Sequence, residues 1–336
     1  MLALPGLSLS AQNSVLVTPK IVEYSKGLLP GAFPVGIAAG ADGNVWFTDS
    51  GNTNAVGRIT PAGVITEFTT GITPNSGPSG ITAGPDHNMW FVELGDFATH
   101  PGKVGKVSSK GVIKEYSSKV PPSGVLWNIV TGPDHNLWFT FNYRDKNSNN
   151  VGGIGTITTK GAVKLFYKGI SLNAGLQDIT SGHDGNLWFT ESGSSSIGRI
   201  TPKGVVTEFK KGFVPDGSVF GITSGPDGNL HFTETFSLTA SVAAVGRITV
   251  KGAVTTYSKN LVSTADPRHI TAGPDGRFWF AEYGGNALGA VTTKGVITNY
   301  TSGISKNANP DGITLGPDNN IWFTELAGRI GKVILH

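Results

Sequence analysis

One block of residues is written seven times along this chain. The first copy is Gly36-Ile37-Ala38-Ala39-Gly40-Ala41-Asp42-Gly43-Asn44-Val45-Trp46-Phe47-Thr48-Asp49, and related segments begin at Gly80, Asn128, Asp178, Gly221, His269 and Gly312. The common form is G-I-T-x-G-P-D-G-N-L-W-F-T-E. A second pattern, I-G-R-I-T-x-K-G-V-I-T-E-F, follows each copy, as in Ile197-Gly198-Arg199-Ile200-Thr201 and Gly204-Val205-Val206-Thr207-Glu208-Phe209. A period of about 43–50 residues is the size of a four-stranded propeller blade.

Each repeat predicts four strands, A to D. Strand A is the G-I-T-x-G run, and strand B is the aromatic and β-branched L-W-F-T-E run. Pro-Asp-Gly-Asn supplies the turn between them, because Gly and Asn accept positive φ and Asp bonds its own backbone. Strand C is the V-G-R-I-T run, strand D is V-I-T-E-F, and a Gly-bearing tight turn joins them. The last repeat stops after strand C, at Arg329-Ile330-Gly331-Lys332-Val333-Ile334. Its missing strand D lies at the other terminus, where Thr18-Pro19-Lys20-Ile21-Val22-Glu23-Tyr24 matches Thr201-Pro202-Lys203 and its sequel. The expected fold is an all-β, seven-bladed propeller over residues 13–336, its ring closed by the N-terminal strand and left without an exposed sheet edge.

Six of the seven tryptophans take the strand B position: Trp46, Trp90, Trp138, Trp188, Trp279 and Trp322. A tryptophan buries about 150–250 Å², worth at most roughly 4–6 kcal/mol at about 25 cal/mol/Å². They are expected to glue neighbouring blades together. His231 replaces the tryptophan in blade five and is expected to be a core residue.

Gly contributes 48 of 336 residues while charged residues are only 15%, which suits short strands and tight turns. With 26 basic against 23 acidic residues and no basic run, a nucleic-acid partner is not expected. No cysteine is present, so thiolate metal sites and disulfides are excluded. No apolar run approaches the roughly 18 residues of a membrane span. Residues 1–12 read as a leader or a signal-peptide remnant, and a secreted or periplasmic location is expected. A monomer is expected.

Strand directions put the A–B and C–D turns on one face and the B–C and D–A loops on the other. The second face is irregular: long B–C segments run over Leu94–Gly102, Phe141–Gly152 and Thr235–Ala243. Variable loops on a rigid array are where ligands bind, so the site is expected at the channel mouth on this face. The repeats provide an internal control, since a residue present in every copy serves the fold.

The strand B acids Asp49, Glu93, Glu191, Glu234, Glu282 and Glu325 recur and are expected to accept backbone N–H bonds; Phe141 breaks their series. The pairs entering strand A diverge more: Val35-Gly36, Ser79-Gly80, Trp127-Asn128, Gln177-Asp178, Phe220-Gly221, Arg268-His269 and Asp311-Gly312. Trp127, Asn128, Phe141, Tyr143, Gln177, Asp178, Phe220 and Tyr283 are the candidate ligand-binding residues, an aromatic set with a few polar groups. His269, Arg268 and Asp311 are the candidate catalytic residues. His269 is either a general base or a surface histidine bonded to a carboxylate.

The two repeated blocks resemble the virginiamycin B lyase (streptogramin lyase) family over nearly the whole chain from about Val15. The resemblance implies a seven-bladed propeller that opens a cyclic depsipeptide by elimination at an ester bond, with a histidine base and a magnesium ion held by two glutamates. The family's Glu-Pro-His-Gly-Ile segment reads Asn309-Pro310-Asp311-Gly312-Ile313 here, so one ligand position is Asn309 and the base position is Asp311. The second ligand position matches Glu325, which leaves magnesium one of its two glutamates. The substrate-binding histidine position is Arg268, with His269 displaced by one. These departures weaken the case for streptogramin breakdown. Two expectations follow. One is a family relative that binds, and cleaves by carbon–oxygen elimination, a small ester or lactone. The other is a non-catalytic propeller that binds a glycan, peptide or protein.

Overall fold

The structure is a computed structural model, which describes residues 19–96, 100–235, 243–262 and 264–335. The leader at residues 1–12 and parts of two long loops, residues 97–99 and 236–242, lie outside the described residues.

Seven four-stranded antiparallel sheets form, and no helix occurs among the described residues. Six sheets take their strands in chain order. In the seventh, Lys20–Tyr24 pairs with Arg329–Ile334, Lys20 opposite Ile334 and Tyr24 opposite Ile330, so the two termini share a blade. The inner strands are Pro34–Ala39, Pro78–Ala83, Val125–Thr131, Leu176–Ser181, Ser218–Ser224, Pro267–Ala272 and Pro310–Leu315. Each contacts the next, and the first contacts the last, which closes the ring.

The turn chemistry follows the sequence. Gly43, Gly185, Gly228 and Gly276 sit at positive φ in the A–B turns, and His87, His135 and Asn319 adopt the same conformation in the other blades. The strand C glycine has a different cause. At Gly57 a Cβ would lie 2.0 Å from the tip of the Phe47 ring.

The tryptophans pack between blades as expected: Trp46 joins Ile81 and Phe91 of blade two, and Trp138 joins Leu176 and Phe189 of blade four. They also bind within their own blade. Trp46 stacks on Phe68 of strand D at 5.7 Å, and its indole N–H donates to Asp42 of the A–B turn at 3.1 Å. His231 keeps this arrangement, with Nε2 3.2 Å from Asp227. Its ring stacks 3.5 Å from Phe278 of blade six, a larger residue that fills the space a tryptophan would have taken.

Two repeated devices position the mouth. Every A–B pairing shifts register after the first or second inner-strand residue, as between Leu126 and Ile129 or Pro267 and Ile270. The two residues skipped in each bulge are the divergent pairs singled out from sequence. Bulges re-aim side chains, and here all seven aim at the channel. A strand B threonine then fixes five of the seven bulges, Val92 and Ala281 taking its place in blades two and six. Thr190 accepts from Asp178 N at 2.9 Å and donates to Phe220 O of the next blade at 2.7 Å. Thr48, Thr140, Thr233 and Thr324 repeat this clasp.

Candidate functional site

The bulges converge on a cavity of about 230 Å³ lined by Trp127, Asn128, Gln177, Asp178, Phe220, Arg268, His269 and Asp311, with Phe33, Ser50, Leu94 and Leu326 at its rim. Charge is gathered on the side of blades six and seven. The Arg268 guanidinium lies between the rings of Phe220 and Tyr283, 4.9 and 4.5 Å from their centroids. Asp266 accepts from its Nε at 3.2 Å and from its second terminal nitrogen at 3.0 Å. The remaining nitrogen faces Asp311, 3.9 Å away. Two rings and two carboxylates therefore hold this cation in one orientation at the opening, and such stacking suits Arg rather than Lys.

His269 stands edge-on to Phe220, with centroids 5.3 Å apart. Its Nδ1 lies 3.3 Å from the backbone carbonyl of Asp311. A carbonyl only accepts, so Nδ1 carries the proton, and in the neutral ring Nε2 is left as the acceptor.

Asp178 is buried beneath the mouth. It accepts from the backbone N–H of Ile179 and Ile222, both at 2.8 Å, and from the Asn128 amide. Burial raises its carboxyl above the usual carboxylate range, against the pull of His269 and these hydrogen bonds. Asp178 and Asn128 thus form the floor of the cavity, cross-linking blades three, four and five. Tyr143 stands away from this cavity and lines an adjoining one with Trp127 and Gln177.

Two further expected site residues are buried in the core. Phe141 is fully buried in the core against Phe139 and Tyr167, and it faces no opening. It occupies the strand B acid position, and its neighbourhood in blade three is apolar. Glu325 is also fully buried. Its carboxyl is pushed up to about 8 by burial, then by the neighbouring charge of Glu23 on strand D, with Arg329 opposing. Side chains alternate across a strand, so it is the next residue, Leu326, that reaches the mouth.

Glu325 is one of a set of carboxyl pairs joining strands B and D: Asp49 with Glu67, Glu93 with Glu115, and Glu191 with Glu208 repeat it. The strand D members grip the entering loop, since Leu29, Thr73, Ser171 and Ser305 donate their backbone N–H to Glu67, Glu115, Glu208 and Glu23. Among the strand B acids, Asp49 and Glu234 accept such bonds as expected, from Phe33 at 2.7 Å and Val214 at 2.8 Å. Strand D does most of that work, through glutamates whose loop partners lie far off in sequence and leave no local pattern.

A magnesium ion does not fit this donor set. Among the described residues no group of three metal-binding side chains occurs. Leu326 at the rim is apolar, and the mouth carboxylate Asp311 faces a guanidinium. A larger cavity, about 620 Å³, opens on blade two and is lined by Glu93, Lys103 and Glu115. Its charged groups pair with one another: Lys103 lies 2.6 Å from Glu115, His100 lies 2.6 Å from Asp96, and the two glutamates are one of the repeated pairs.

A model of the virginiamycin B lyase family matches residues 15–146 and 127–336. The chain belongs to the virginiamycin B lyase family. Virginiamycin B lyase from Staphylococcus aureus is 33% identical, covering 95% of this chain and all of that one, at a TM-score of 0.81. A streptogramin B lyase structure is 32% identical over 94% of this chain and 97% of its own, at a TM-score of 0.78. A catalytically inactive virginiamycin B lyase from Staphylococcus aureus with quinupristin is 33% identical over 95% of this chain and all of its own, at 0.80. No curated protein sequence matches. Virginiamycin B lyases thus share this chain's fold over nearly its whole length.

Proposed function

We propose that this member of the virginiamycin B lyase family binds a small ester- or lactone-bearing molecule at the channel mouth. The observation that carries the reading is the convergence of Arg268, His269 and Asp311 on one aromatic-walled cavity formed by the seven bulges. Arg268, held by its rings and Asp266, donates to the carbonyl oxygen of the ligand. Phe220 and Trp127 cover its apolar part. Asp311 serves as the partner of Arg268 rather than as a base.

The same geometry supports elimination. Nε2 of His269 takes the proton from the carbon next to the polarised carbonyl. The C–H electron pair becomes the new C=C bond, and the C–O pair leaves on the departing oxygen. Arg268 balances the charge that develops on the carbonyl oxygen. No step runs through a metal, and streptogramins are not the expected substrates. The binding-only reading is favoured by the closed Asp266–Arg268–Asp311 arrangement.

Calorimetric titration with an ester and lactone panel, with product analysis of each mixture, tests both. Arg268→Ala is expected to weaken binding at least about tenfold. His269→Ala is expected to leave binding within about threefold while removing any product formation, typically a factor of about 100 or more. Unchanged binding by Arg268→Ala would remove the mouth from the reading.

A further inference from the structure

Beside the mouth, and sharing Trp127 and Gln177 with it, lies a second cavity of about 190 Å³. One wall is the long B–C hairpin of blade three, whose strands Leu137–Arg144 and Asn150–Ile157 are the longest among the described residues. The other wall is the D–A segment of blade four around Asn173–Gln177, with Ser192 and Gly193 beneath. The two walls are stitched together. Asn142 donates to Leu176 O at 2.7 Å and accepts from Leu176 N at 2.9 Å. Asn173 N donates to Asn150 O at 2.8 Å, and Asn150 N donates to the Asn173 side chain at 3.0 Å. Val151 bridges to Leu172. The groove is therefore formed before any ligand arrives.

The lining selects its occupant. Trp127 and Tyr143 bring aromatic surface, while Asn150, Asn173, Gln177 and Ser192 bring neutral groups that both donate and accept. The Asn150 side-chain amide makes no hydrogen bond to a described residue, and the Gln177 side chain makes one long contact, 3.4 Å to Ser192. No carboxylate lines the groove to hold a cation, and the one charged group, Arg144, turns a terminal nitrogen onto Ser148 O at 3.1 Å. An extended peptide adds to a free strand edge, and here the outer edges of the hairpin are already taken, the Asn150 backbone by Asn173 and the Arg144 backbone by the Ser123 hydroxyl. What suits aromatic faces flanked by neutral amides is a ring with one apolar C–H face and a rim of hydroxyls. The volume lies below the roughly 300–1,000 Å³ of drug-sized pockets, so one ring fits and a chain does not.

We propose that this groove is a monosaccharide subsite, so that the ligand held at the mouth carries a sugar ring over blades three and four. The inference deepens the mouth reading but stands on different residues, and the two fail separately. The probes are methyl glycosides of common hexoses, N-acetylhexosamines and pentoses, followed by saturation-transfer NMR on the full chain. At least one is expected to bind, with the ring C–H protons receiving most transfer. Gln177→Ala and Trp127→Ala are each expected to weaken it tenfold or more, and Arg268→Ala to change it less than twofold. Asn150→Ala, which breaks no internal bond, serves as a variant that keeps the fold and is expected to weaken binding at least threefold. No binding by any glycoside, or binding unmoved by all three groove variants, overturns the subsite and leaves the mouth reading intact. Glycoside binding without lactone binding overturns the mouth reading alone.

Discussion

Arg268 shows how one substitution against the repeat creates a site. Where Val35 and Ser79 occupy this bulge position in blades one and two, the guanidinium of blade six is caught between Phe220 and Tyr283 and anchored on Asp266. His231 shows the opposite case, a departure absorbed by the core. Its ring takes over the tryptophan's bond to the turn aspartate and leans on Phe278. Phe278 stands where the other blades carry Val, Met, Leu or Ile. His231→Trp alone is therefore expected to overpack this contact and destabilise the fold by about 1–3 kcal/mol. Adding Phe278→Leu is expected to recover most of that loss, measured as a double-mutant cycle in urea. Additive losses would mean that the two residues do not compensate each other.

At the scale of the strand, the carboxyl pairs joining strands B and D make a pH-dependent seam around the ring. Burial, and then the charge of its strand D partner, pushes Glu93 up to about 8, as it does Glu325. A raised pKa in the folded state means the protonated acid stabilises the fold. That contribution is complete below the unfolded value of 4.5 and is lost as pH rises through about 8. The melting temperature is expected to fall between about pH 5 and pH 9, and Glu325→Gln, which stays neutral, to flatten the slope. At pH 9 the variant is expected to melt at least about 2 °C above the parent in calorimetry. An unchanged slope would mean that Glu325 is ionised throughout.

These strands also show what could be read in advance. The bulge pairs were legible because seven copies set a standard from which Arg268, His269 and Trp127 depart. The direction of Glu325 was not. It depends on a strand that begins at Lys20 and enters the sheet from the far end of the chain, bringing Glu23 beside it. The expectation for Phe141 failed for a related reason: its position is a core position in every blade, whatever residue fills it. Asn142, Asn150 and Asn173 were passed over because their significance lies in a hairpin stitched to the next blade, a relation that no periodicity encodes.

On the scale of the whole molecule, closure is what gathers the seven bulges around one opening. Without the N-terminal strand, the edge of the last blade at Arg329–Ile334 is unpaired and open to other chains. Deleting residues 20–24 is expected to lower the melting temperature by about 5 °C or more and to shift part of the protein to dimers or larger species in light scattering. A monomeric deletion variant with unchanged melting would show that the inner-strand contacts close the ring unaided.

The shared blade also orders events during synthesis. Its outermost strand leaves the ribosome first and its partners last, so six blades can stack in succession while residues 20–24 wait without a mate. The mouth, which needs Val35 beside Asp311, is assembled only at the final step. Until residues 310–334 emerge, this chain carries its walls without its doorway.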